Sequence, residues 1–85
     1  TDQIAQDHAA MLGSVSVINS VIATHAKGSD ATSEDFGHDM THDEKKARVA
    51  RSNGYLVHMK ALEDWGSESF TEIDAAISAA NSFTA

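Results

Sequence analysis

The chain has 85 residues, 13 Asp and Glu against six Lys and Arg, a net charge of -7 and no cysteine. That balance lacks the basic footprint of a sequence-independent nucleic-acid binder, and without Cys there is neither a disulfide nor a thiolate metal site. At this size folding buries only about 60–65% of the chain's surface, so a single helical domain over residues 1–85 is expected to gain from self-association or a partner.

The first predicted element covers residues 2–27. Ile4, His8, Met11, Val15, Ile18 and Ile22 recur at intervals of four, three, four, three and four, a seam suited to packing on another helix. Asp2 can cap its start, and Gly28 is a natural stop. Ser14-Val15-Ser16-Val17 alternates like a strand and Gly13 disfavours a helix interior. No second strand is available to pair with it, so helix is the reading. His8 inside the apolar stripe is expected to be half-buried and hydrogen-bonded. Its other roles are a ligand or a pH-sensitive contact between helices.

Residues 28–40 form a polar, acidic connection with six acids and no base between Gly28 and Glu44. At 13 residues it is long for a bundle loop, which leaves room for a helical turn at Ser33-Glu34-Asp35-Phe36 anchored by Phe36. The segment fails the calcium-loop pattern: counting from Asp30, position 6 is Asp35 rather than Gly and position 12 is Thr41 rather than Glu. Asp35-Phe36-Gly37 matches a kinase tripeptide, but no glycine-rich or catalytic loop accompanies it. His38 and His42, interleaved with Asp39 and Asp43, are the candidate metal ligands. They straddle the predicted helix start at Thr41, so they do not share one helical face, although His8, His25 or His58 could approach in space.

Thr41-x-x-Glu44 is a capping-box pattern with Met40 placed for a hydrophobic staple. The second helix is predicted over 41–64, with Val49, Tyr55, Leu56, Met59 and Leu62 inward. Gly54 either weakens it or lets a neighbour approach. Lys45, Lys46, Arg48 and Arg51 follow the acids within seven residues, which allows local pairs such as Glu44–Arg48 or a dipolar docking surface. Trp65 in the turn Asp64-Trp65-Gly66-Ser67 either closes the core between helices two and three or stands out as an interface anchor. Tyr55, one turn beyond Arg51, is positioned for a local cation–π contact. The third helix is predicted over 69–83, beginning at Ser67 or Thr71. Phe70, Ile73, Ala76, Ile77, Ala80 and Phe83 lie on one side, and Asp74, Ser78 and Ser82 on the other.

The expected fold is therefore all-α, a small three-helix bundle. No stretch reaches the ~20 apolar residues of a membrane span, and Thr1-Asp2-Gln3 lacks the basic-then-apolar pattern of a secretory leader. With no Cys, these features point to a cytoplasmic location. No Gly-x-Ser-x-Gly elbow or phosphate-cradling glycine pattern occurs. A domain this small also has little interior in which to build a reaction centre.

From residue 41 onward, Asp43-Glu44-Lys45-Lys46-Ala47-Arg48-Val49-Ala50-Arg51, Leu56, His58-Met59, Asp64-Trp65, Ser67-Glu68 and Asp74-Ala75-Ala76-Ile77 resemble a set of small proteins from tailed phages, many of marine bacteria. The resemblance covers about half the chain. It implies a phage or marine microbial origin and a helical hairpin, and it supplies no catalytic residue.

The expected function is a non-enzymatic helical interaction or regulatory module that self-associates or binds a protein partner, without a cofactor. The candidate interaction residues are Trp65, Tyr55, Phe36 and His8. Two other readings compete with it: an acidic decoy of a nucleic-acid-binding partner, and a His/Asp metal-binding bundle.

Overall fold

The computed structural model describes residues 2–26, 41–62 and 64–85. Three helices, α1 (Asp2–Ala26), α2 (His42–Leu62) and α3 (Thr71–Thr84), each pack against the other two. The expected three-helix bundle is the fold. Predicted residues 27–40, including Phe36, His38, Asp39 and Met40, lie outside the described residues.

The helices run up, down and up. His25 at the end of α1, His42 at the start of α2 and Phe83 near the end of α3 share one end of the bundle. His8, Trp65 and Phe70 share the other. Met11, Val15, Ile18 and Val21 of α1 join Val49 and Leu56 of α2, Trp65, and Ile73, Ala76 and Ala80 of α3 in one buried cluster. The seam of α1 and the apolar face of α3 pack on each other and on α2, with Ile4, Ile22, Phe70, Ile77 and Phe83 partly buried at the edges. The strand-like Ser14–Val17 is continuous helix, because Val15 lies on the buried stripe with Met11 and Ile18.

Local chemistry sets the boundaries. Thr41 N–H donates to Glu44 Oε1 at 2.8 Å, and Glu44 N–H donates to Thr41 Oγ1 at 3.2 Å, the reciprocal capping box. Lys45 N–H then donates to Thr41 O and closes the first turn. After α2, Gly66 adopts φ +60°, its N–H donates to Asp64 Oδ1 at 3.0 Å, and Glu68 N–H returns to Trp65 O. A left-handed residue at that position is where glycine is needed. The third helix starts at Thr71 with Phe70 as its N-cap and no side-chain cap bond. Ser67 belongs to the turn instead.

Two inward assignments change. Leu62 is 57% exposed; α2 ends there, and Trp65 folds back to donate Nε1–H to Met59 O at 3.1 Å. Lys45 is 1% exposed, sharing the inward stripe of α2 with Val49 and Leu56, so its aliphatic stem serves as core. Neither Gly13 nor Gly54 has an atom within 4 Å of a built Cβ. Gly54 therefore weakens α2 without admitting a close neighbour.

Candidate functional site

Three places combine chemistry with access. The first is the latch at the α2–α3 turn. His8, on α1, places Nε2 2.7 Å from Ser69 O and Nδ1 3.5 Å from Glu68 Oε1. A nitrogen facing a carbonyl must donate, which fixes a hydrogen on Nε2. The ring also lies 5.8 Å from Phe70, which is 5.7 Å from Trp65. Lys60 Nζ stands 6.0 Å over Phe70 and 2.6 Å from Asp74 Oδ1. Nε2 of His8 is committed to the Ser69 carbonyl, while Nδ1 lies near the Glu68 carboxylate. Trp65, at 7% exposure, closes the core in this fold, and Tyr55 is half-buried against the same cluster.

The second place is the opposite end. His25 and His42 stack with ring centroids 4.3 Å apart and planes at 16°. Phe83 meets both rings edge-on, at 5.2 and 5.5 Å. Of the four metal candidates read from sequence, His42 thus finds His25, whereas His38 and Asp39 lie outside the described residues. Asp43 is exposed in the first turn of α2.

The third place is the outer side of α2, which sequence reasoning passed over. Ala47, Ala50, Gly54, Val57 and Ala61 are all exposed, at intervals of three, four, three and four. Val57 is 50% exposed, and with Leu62 it is one of the two large hydrophobic residues left out of the core among the described residues. Val57, Ala61 and the aliphatic part of Lys60 line a groove of about 450 Å³ whose far wall is Ile77 of α3. The signal was present in the sequence but faint, because small residues carry little hydropathy. It becomes readable once the opposite stripe of α2 is seen to be consumed by the core.

Charge is divided along the same line. Five of the six bases lie in α2, together with only Asp43 and Glu44 among the acids; the other eleven acids lie elsewhere in the chain. Arg51 is exposed beside the small-residue stripe. A second groove, about 400 Å³ and lined by Leu12, Ser16, Asn19, Ala23 and Glu72 among others, runs between α1 and α3 and is mainly polar. No helix among the described residues is long and apolar enough to cross a membrane. Comparison with protein-family models, curated proteins and solved structures finds no match.

Proposed function

We propose that this protein is a non-enzymatic interaction module whose docking surface is the outer face of α2, and that its partner presents an amphipathic helix flanked by acidic residues. The observation that carries the reading is exposed Val57 at a groove walled by Lys60, Ala61 and Ile77, on the same side of α2 as the exposed row Ala47, Ala50 and Gly54. Apolar side chains that a small bundle has failed to bury mark association surfaces when they are contiguous. Small residues at Ala47, Ala50 and Gly54 let another helix come close, and helix-in-groove recognition uses this three-four spacing.

The charge of α2 selects the partner. Arg51 is exposed beside Ala50 and Gly54, so acids on an incoming helix gain attraction and register there. A second copy of this chain offered face to face would bring the same bases together, which disfavours symmetric self-pairing through α2. The acidic remainder of the chain turns away other acidic surfaces and confines docking to this face.

The test is a selection from a display library of helical peptides on the full chain, counter-selected on the double variant Val57→Glu/Leu62→Glu. Enriched peptides should carry an apolar stripe with flanking Asp or Glu and lose binding to the variant. Their binding should also weaken as salt rises. Peptides that bind wild type and variant alike would overturn the reading, as would enrichment of basic peptides.

A further inference from the structure

Asn53 is followed by Gly54, whereas the other two asparagines of the chain, Asn19 and Asn81, are each followed by serine. Asn-Gly is a turn signal, yet here both residues lie in the middle of α2. They stand between Val49 and Leu56, which are both fully buried. Asn53 Nδ2 donates to Asn81 Oδ1 of α3 at 2.9 Å, while Asn53 Oδ1 is buried with no hydrogen-bond partner among the described residues. Gly54 is exposed, and a Cβ built on it meets nothing within 4 Å.

Asparagine is a thermolabile residue, and its reactivity depends on the residue that follows. Once the next backbone nitrogen gives up its proton, it attacks the side-chain Cγ. The N–Cγ bond forms, the Cγ–Nδ2 bond breaks, and the amide nitrogen leaves as ammonia, closing a five-membered succinimide. Water then opens either carbonyl of the ring, leaving aspartate or isoaspartate. Water is the only co-reactant, and nothing is oxidised or reduced. A following glycine has no Cβ to hinder the attack and gives the backbone the freedom the ring requires; serine hinders it. Inside α2 the Gly54 nitrogen is tied to the carbonyl four residues back, and the helical backbone holds it away from Cγ. The leaving group Nδ2 is held as well, by Asn81.

We propose that Asn53 is a deamidation site that the folded α2 keeps unreactive and that opening of α2 releases. Gly54 lowers helix propensity at this point, and it has no side chain to pack against opening. Isoaspartate routes the main chain through its side-chain carbon and so adds a methylene between residues 53 and 54. Leu56 then falls out of line with Val49, and the outward row Ala50, Gly54 and Val57 is broken at the same place. Aspartate, the other product, keeps the chain path but loses the Nδ2 donor to Asn81. Time spent open is thereby recorded as permanent damage to α2. The proposal rests on the helix and not on what docks there, so a chain that captures no peptide still shows it.

The experiment incubates the full chain at mildly alkaline pH, once folded in buffer and once unfolded in guanidinium chloride. Peptide mass spectrometry with isoaspartate detection follows each asparagine over time. Unfolded, Asn53 should convert ahead of Asn19 and Asn81. Folded, it should convert about tenfold or more slowly, because only the opened fraction reacts. Gly54→Ala should slow the unfolded chain's conversion to no faster than the two Asn-Ser sites. The isoaspartate form, purified and returned to buffer, should show less helix by circular dichroism and a lower melting midpoint than unmodified chain taken through the same steps. The proposal is overturned if unfolded Asn53 reacts no faster than Asn19 and Asn81, or if folded and unfolded chains react at the same rate. An isoaspartate form that regains the helix content and melting midpoint of the unmodified chain overturns it too.

Discussion

Replacing both helix-interior glycines by alanine, Gly13→Ala in α1 with Gly54→Ala in α2, should stabilise the bundle. Glycine in a helix interior costs about 0.5–1 kcal/mol relative to alanine, because the unfolded chain loses more freedom on folding. Normally that gain is offset when the added methyl meets a neighbour. At neither position does a built Cβ come within 4 Å of another atom, and neither φ is positive. The two sites lie in different helices with no shared partner, so their effects should add, giving about 1–2 kcal/mol. For a domain of this size, one kcal/mol moves the melting midpoint by roughly 4–8 °C. The double variant should therefore melt about 4–16 °C higher by far-UV circular dichroism, with an unchanged urea slope. Gly66→Ala is the contrast, since its φ of +60° should turn the same change into a loss of about 1–2 kcal/mol. A double variant no more stable than wild type would refute the helical placement of Gly13 and Gly54, and a stabilised Gly66→Ala would refute the left-handed turn at Gly66.

Other expectations follow from the same packing. Trp65→Ala removes a buried indole and its bond to Met59 O, and should cost about 3–5 kcal/mol, a large share of the roughly 4–13 kcal/mol a domain of this length holds; chemical denaturation measures it. Thr41→Ala removes the Oγ1 acceptor of the α2 cap while keeping the backbone arm to Glu44, and should cost about 1 kcal/mol by the same assay. The Lys60–Asp74 pair is short, at 2.6 Å, but both side chains are about half exposed (47% and 52%). A double-mutant cycle should therefore give less than about 1 kcal/mol and shrink with added salt. Without a partner, the melting midpoint should stay constant over about a hundredfold range of protein concentration, because an obligate oligomer would lose stability on dilution.

Much of the fold could be read from residue spacing, and the exceptions have identifiable causes. In α3 the large side chains Phe70, Ile73, Ile77 and Phe83 mark the inward face directly, with Ala76 and Ala80 buried between them. In α1, Ile18 is followed by valine at +3 and isoleucine at +4. The strict three-four count favours Ile22, whereas packing buries Val21 fully and Ile22 in part. Leu62 was expected inward, but six positions past Leu56 it falls well round the helix from the buried Lys45, Val49 and Leu56 and is exposed. Lys45 escaped notice because a charged residue reads as solvent-facing, although its stem can line a core.

The candidate sites were less legible because they depend on which ends meet. His42 stood out beside His38, but its partner in space is His25, supplied by the up-down-up order of the helices. His8 was legible as half-buried and hydrogen-bonded, but not its acceptor, since Ser69 lies 61 positions away. The outer face of α2 could not be singled out until the three packed stripes were assigned. An alanine–glycine row looks the same in sequence whether it is buried or bare.

The most direct measurement is a backbone-amide NMR titration of the full chain with a synthetic amphipathic helical peptide carrying flanking aspartates and glutamates. Shift changes confined to Ala47, Ala50, Arg51, Gly54, Val57, Ala61, Leu62 and the facing Ile77 are the predicted result. Saturable changes centred instead on the Leu12–Ala23 side of α1, or no change at millimolar peptide, would contradict α2 as the docking surface.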